Sequence, residues 1–303
     1  MSRLNILHVV GPQSGVAADT VVALKNWSGH RHELVAVAGD PLQYTQPALT
    51  TATTSPPMLE EFVTQADVIH FHGSVPQIHG CTFLCKKTVL HVRGSLLLPD
   101  GSWGLSKGDD AQGLEGFTRL AGAYPSCALS YGRPDMRYLP DILPISDWLY
   151  RPYRQEKPRR VCSYNHRRRV KELAAVGIDF ELLRPYWQES LTLEYVRRAF
   201  AAAVDNYSFG HWTRFGLACL AQGVPCVCYI HPDNYDAFKR EVPPFIPTEY
   251  GGTGLVEVLQ RTLALPAGEL SSLANYGRFW MKEHYDPEKL VWQWDEFYAE
   301  LGD

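Results

Sequence analysis

The segment from Val204 to Ile230, VDNYSFGHWTRFGLACLAQGVPCVCYI, restricts the possible folds more than any other stretch of the chain. It reads as an acidic strand end, a polar and aromatic loop, a short apolar helix, a Gly-Val-Pro turn and a buried strand. Gly223 can adopt the left-handed conformation that stops a helix, and Pro225 prevents its continuation. The run Cys226-Val227-Cys228-Tyr229-Ile230 has the β-branched and aromatic content of a strand covered on both faces. A loop that feeds a helix N-terminus at the carboxyl edge of a parallel sheet is where open α/β folds hold phosphorylated ligands. The segment therefore predicts a parallel α/β sheet and a nucleotide-linked substrate.

The same alternation runs through the rest of the sequence. Strands are expected at 4–10, 33–38, 67–72, 88–93 and 128–130, with helices at 16–26, 58–65 and 114–121. Residues 41–57, rich in Thr, Pro and Gln, read as a loop, and 97–113 as a longer irregular one. Arg151 to Pro158 is charged and bounded by prolines, as linkers are. A second alternating half follows, with strands at 160–164 and 180–183, a helix at 192–202, and the segment described first. Apolar residues at helical spacing from Leu273 to Leu301 predict one or two closing helices. Strands that alternate with helices and end in small residues indicate doubly wound parallel sheets. The 303 residues suit two domains, 1–150 and 151–303.

Composition narrows the class. With 45% hydrophobic and 20% charged residues the chain is globular, and a net charge of −4 advertises no field for nucleic acid or acidic lipid. Positive charge is nonetheless gathered at Arg159, Arg160, Arg167, Arg168, Arg169 and Lys171, which suits one bound phosphate group better than a polyanion. The seven cysteines sit mostly in apolar runs, the usage of a reducing compartment. Cys81 and Cys85 have the spacing of a metal half-site, but no second pair follows, so no metal is expected. The apolar run Leu4–Val10 is too short for a signal peptide, and no run approaches the roughly 20 residues that cross a bilayer. A cytoplasmic location without a transmembrane segment is the expectation.

Several motifs, taken in order, resemble the GT-B glycosyltransferases, and most closely their retaining, family-four-like group. The opening strand and glycine loop are similar to Ile6-Leu7-His8-Val9-Val10-Gly11-Pro12-Gln13-Ser14-Gly15. The "D-x-I-H-x-H-G" signature resembles Asp67-Val68-Ile69-His70-Phe71-His72-Gly73, and an "H-x-H-G-S" strand end resembles His91-Val92-Arg93-Gly94-Ser95. The pre-linker run is similar to Leu143-Pro144-Ile145-Ser146-Asp147, and the terminal "W-x-x-E-H-x-x-P-E" run to Trp280 through Glu288. The resemblance spans nearly the whole chain. It implies two doubly wound Rossmann-like α/β domains facing a cleft. Residues 1–150 would take the acceptor side and 151–303 the nucleotide sugar, with the terminal helix packing back on the N-terminal domain. One departure stands out. The family's two donor-site glutamates, eight positions apart before a G-x-P turn, fall here at Gly210 and Ala218. A subgroup of the family has glycine at the first position, but keeps the second glutamate.

The resemblance also assigns roles to residues. Sugar transfer from a nucleotide sugar releases a diphosphate, whose charge fixed cations and a helix N-terminus can stabilise. Arg168, Arg169 and Lys171 match the family's phosphate-binding positions, with Glu172 in place of the glycine of its "K-G" pair; a solvated basic helix start would look the same. Gly11 and Gly15 would let backbone amides approach the donor or acceptor, although a tight turn has the same sequence. His72 matches the family's sugar-facing histidine, and a histidine bonded within the core has the same signature. Regular alternation points His70 to the same side of its strand. Arg93 stands where the family often has histidine and needs a carboxylate or phosphate partner if buried. In the donor loop, Gly210, His211, Trp212, Thr213, Phe215 and Gly216 would surround the sugar or β-phosphate, though Trp212 suits a core anchor equally. Pro185-Tyr186-Trp187 would stack on the nucleobase or pack as a core cluster.

The expected activity is transfer of a sugar from a UDP- or GDP-sugar to a hydroxyl, retaining and metal-independent, with no cofactor. The acceptor would be a saccharide, a lipid-linked glycan or a small molecule. An alternative is a virus-type enzyme acting on hydroxymethylated pyrimidine in DNA, which the net charge disfavours. A second is a non-catalytic binding relic that has lost both donor carboxylates.

Overall fold

The computed structural model of the chain describes residues 3–10, 15–36, 49–50, 56–73, 86–92, 96–97, 103–104, 116–124, 127, 133–145, 158–163, 170–183, 189–207, 210–232 and 243–302. It divides into two compact units, one formed by Met1–Pro144 with Pro287–Asp303 and the other by Ile145–Asp286.

The first unit is built on β1 (Asn5–Val10), β2 (Arg31–Ala36), β3 (Leu49–Thr50), β4 (Val68–His72) and β5 (Lys87–Val92). The short β6 (Leu96–Leu97) and β7 (Trp103–Gly104) pair antiparallel with each other, and β8 (Arg119–Gly122) and β9 (Arg137–Tyr138) rejoin the main sheet. Its order is β3-β2-β1-β4-β5-β8-β9, parallel throughout. Strand alternation sorts the side chains by face. Leu7, Val9, Ile69, Phe71, Leu90 and Val92 join one apolar cluster, which Val63 and Ala66 share. Val63 lies on helix α2 (Pro56–Gln65), and helix α1 (Gly15–Trp27) follows β1. The intervening positions on β1, β4 and β5 are His8, His70, His72 and His91, all buried.

The second unit carries β10 (Arg160–Ser163), β11 (Asp179–Leu182), β12 (Ala202–Val204), β13 (Cys226–Cys228) and β14 (Ile246–Pro247), parallel in the order β11-β10-β12-β13-β14. Its helices are α3 (Val170–Ala175), α4 (Glu189–Ala199), α5 (Arg214–Ala221), α6 (Leu255–Ala264) and α7 (Ala267–His284). Val161, Val204, Val227, Leu255 and Leu259 share its core. As the sequence predicts, Gly223 is left-handed, with φ of 67°, and ends α5. The described cysteines 127, 162, 219, 226 and 228 are buried free thiols.

The last helix, α8 (Pro287–Gly302), belongs to the first unit. It lays Trp294 and Tyr298, both fully buried, over the histidine face. Trp294 Nε1 donates to Pro140 O at 3.0 Å. At the rim Arg137 pairs with Glu296 at 3.0 Å and with Glu300, and Lys87 Nζ donates to Leu301 O.

Two expectations are corrected. The helix expected at 114–121 gives way to β8 at Arg119–Gly122, which pairs with β5. A short apolar run does not declare its period, and pairing with β5 and β9 decides this one. The helix expected at 192–202 stops at Ala199, and Ala202–Val204 is the central strand of the second sheet. Local alanine content favours helix there, but the Ala201 N–H already donates to Arg160 O, so the run is committed to the sheet. The strand expected at 128–130 and the linker from Arg151 to Lys157 lie outside the described residues.

Candidate functional site

Each sheet has one point where the strand order reverses, and open α/β sheets bind ligands beyond the carboxyl ends of strands at such points. In the second unit the reversal lies between β10 and β12. The chain leaves β10 at Ser163 and enters α3 at Val170, and the residues between them lie outside the described residues. Lys171 is the second residue of α3. Arg168 and Arg169 lie outside the described residues.

The chain leaves β12 into the loop that ends at α5. Asp205, 4% exposed, organises it. Its Oδ2 accepts from the Thr213 N–H at 2.7 Å and its Oδ1 accepts from the Thr213 hydroxyl at 2.5 Å. Thr213 is the N-cap of α5, and its oxygen accepts in turn from the Phe215 N–H at 3.2 Å. A carboxylate, a capping hydroxyl and a helix N-terminus are thus joined in one network, where the helix dipole favours negative charge. Burial nevertheless dominates and pushes the Asp205 carboxyl up to about 6, against the bonds from Thr213. The remaining loop residues expected at the donor are held tightly. Trp212 is buried with its ring stacked 6.3 Å from Phe245, and His211 is buried. Gly210 is left-handed at φ of 70° and abuts His231, whose Cβ would lie 2.8 Å from an added methyl. Gly216 faces the Asp205 carboxylate at a distance that excludes any side chain. Ala218, at the family's second glutamate position, is buried within α5.

The raised carboxyl gives a signed pH dependence. A folded-state value near 6 against 3.8 unfolded stabilises the fold fully below about pH 3.8, and that contribution is lost as pH rises through 6. On the order of 3 kcal/mol is at stake. Asp205→Asn cannot titrate, so wild type should lose about that much stability relative to the variant between pH 4 and pH 7. Urea unfolding at the two pH values checks this, and a constant difference between the proteins would refute it.

In the first unit the reversal lies between β1 and β4. Register sets His8 beside His70, Val10 beside His72, and His72 beside His91. His72, expected to face a sugar, is 1% exposed, and its Nε2 lies 2.8 Å from His8 Nδ1. His70 does share its side of the strand, as expected, with the two rings stacked at 4.4 Å. The far nitrogen of His8 meets His32 Nδ1 at 2.9 Å, and His32 Nε2 meets Ser28 Oγ at 2.8 Å. Ser28 donates to Asp295 Oδ1 at 2.5 Å, and the other carboxylate oxygen accepts from the Gly29 N–H at 3.0 Å. Burial, then neighbouring His32, His70 and His91, draws His8 well below the usual imidazole range. Burial, then His30, draws His32 down to about 3. Gly15 opens α1 just after β1. Gly11 and Arg93 lie outside the described residues.

Sequence reading did not assign Asp205 or the His8–His32–Ser28–Asp295 chain. The acidic strand end at Asp205 was visible as such. The histidine chain depends on strand register, which periodicity does not supply.

No family model matches the chain, and no curated protein matches it in sequence. Solved structures do match. HepE of Anabaena, solved in complex with UDP-glucose, is similar over 98% of this chain and 100% of its own, at a TM-score of 0.61 and 11% identity. A glycosyltransferase from Rickettsia africae is similar over 99% of both chains, at 0.62 and 10%. Sucrose-phosphate synthase of Thermosynechococcus elongatus is similar over 98% of this chain and 99% of its own, at 0.58 and 14%. Two parallel units, each with its own strand-order reversal, and this likeness over full length agree: the chain has the GT-B glycosyltransferase fold.

Proposed function

We propose that the protein is a glycosyltransferase that moves a sugar from a UDP- or GDP-sugar to an acceptor hydroxyl, with retention and with no divalent ion at the diphosphate. The observation that carries this reading is the strand-order reversal between β10 and β12, with the Asp205–Thr213 loop following β12. HepE, similar in fold, was solved with UDP-glucose. In this reading Arg168, Arg169 and Lys171 stabilise the charge that develops on the departing nucleoside diphosphate as the sugar–phosphate bond breaks. The loop closed by Asp205 and Thr213 positions α5 and its backbone amides beside the sugar. Gly11, Gly15 and Arg93 would contact the acceptor, a saccharide, a lipid-linked glycan or a small molecule, as the family resemblance implies. His72 is buried, with its Nε2 2.8 Å from His8 Nδ1. Ribose recognition falls to groups other than the carboxylates that Gly210 and Ala218 replace.

Removing one charge-assisted contact to the diphosphate costs about tenfold or more in affinity. Lys171→Ala should therefore weaken binding of UDP or GDP by at least about that factor while the thermal unfolding profile stays that of wild type. Titration calorimetry on the folded variant measures this. Unaltered affinity would remove Lys171 from the site.

A further inference from the structure

The buried histidines of the first unit have a geometry that core packing alone does not require. His8, His70 and His72 each bring one ring nitrogen into a group whose members all lie within 4.8 Å of one another. The nitrogens on the far sides of two of these rings are engaged elsewhere. Tyr298 OH lies 2.7 Å from His70 Nδ1, and His8 Nε2 meets His32. His8 Nδ1 and His72 Nε2 face each other at 2.8 Å, and Nε2 is the His70 nitrogen opposite the one at Tyr298.

The outer chain fixes the direction of the protons. The Asp295 carboxylate only accepts, so the single Ser28 proton goes to it, and Ser28 Oγ must accept from His32 Nε2–H. Burial holds His32 and His8 neutral, so His32 Nδ1 accepts from His8 Nε2–H. His8 Nδ1 then carries a lone pair that faces His72 Nε2 within the group. A ligand imidazole whose second nitrogen donates toward a carboxylate, directly or through a relay, is the usual outer arrangement of a metal-bound histidine.

We propose that His8 Nδ1, His70 Nε2 and His72 Nε2 form a three-imidazole site for a divalent transition ion, zinc by ligand preference. Neutral imidazole suits zinc, copper, nickel and cobalt, whereas magnesium and calcium take oxygen. Nitrogen ligands about 2.0–2.1 Å from zinc in a tetrahedral site stand about 3.3 Å apart. The His8–His72 pair, now 2.8 Å apart, would open by about half an ångström. His72 would move its proton to Nδ1, so the ring stays neutral and no proton is released. His91, its ring 5.5 Å from His70 and 5.6 Å from His72, is a further imidazole beside the group. The ion would clamp β1 to β4 across the strand-order reversal, a structural role separate from sugar transfer. The sequence hides the site because its ligands come from two strands, with His8 and His72 64 positions apart.

The test uses the untagged full-length protein, stripped with a chelator and titrated with zinc chloride or cobalt chloride. The expected result is one tightly bound zinc per chain, a rise in Tm with zinc, and the strong visible absorption of four-coordinate cobalt. His72→Gln should abolish the binding. Ser28→Ala, which breaks the relay without touching the ion, should weaken zinc affinity about tenfold or more. A folded wild type that takes up neither ion, cobalt absorption of the weak six-coordinate kind, or stoichiometric binding that survives in His72→Gln would each overturn the proposal. Nucleotide binding does not enter any of these readouts, so they stand apart from the test of the sugar-transfer reading.

Discussion

Gly216→Ala is expected to destabilise the protein by about 3 kcal/mol or more, the opposite of what a glycine-to-alanine change inside a helix normally does. Alanine is the better helix former by about 1 kcal/mol. Here its methyl would stand 2.3 Å from Asp205 Oδ2 and 2.9 Å from Phe245 Cε1. The carboxylate cannot step aside cheaply, because both its oxygens are anchored by Thr213 and the group is buried. Overpacking costs about 1–3 kcal/mol, and loosening a buried carboxylate from its donors adds about 1–3 kcal/mol more. Urea unfolding would measure the sum. A variant within 1 kcal/mol of wild type would mean that the Asp205 loop is not held as described.

The second large effect is expected at Trp294. Truncating a buried tryptophan to alanine costs about 3–5 kcal/mol through lost contact and the cavity left behind. This ring is fully buried, stacks 5.4 Å from His70, lies 5.3 Å edge-on to His91, and donates to Pro140 O. Its loss would leave a buried carbonyl without that donor and open a cavity over the imidazoles. Trp294→Phe should cost less, because it keeps most of the apolar contact and gives up the hydrogen bond. Equal, small losses in both variants would show that α8 contributes little to the first unit.

Much of the scaffold was legible in the sequence. The strands around Ile6, Ile69, Leu90 and Val161 are runs of strand length rich in β-branched and aliphatic residues, and the Gly223–Pro225 turn marks the end of α5 through glycine's left-handed freedom. The misreadings share one cause. Leu120-Ala121 and Ala202-Ala203 are short runs whose local preference is weak or helical, and long-range pairing with β5 and β10 decided them. Site chemistry was legible only where it lies along the chain. Thr213 before an apolar helix is a capping signal readable in one dimension, and the structure adds its partner Asp205. Gly216 resembles any helix glycine until the carboxylate facing it is placed. His8, His70 and His72 become one group only through the β1–β4 register.

On the proposed function, the second unit binds a nucleotide sugar at its strand-order reversal. Calorimetric titration of the wild-type chain with UDP- and GDP-sugars tests it most directly. Saturable one-to-one binding of at least one of the two nucleotide classes is expected, weakened about tenfold or more in Lys171→Ala. A folded wild-type protein that binds neither class would contradict it.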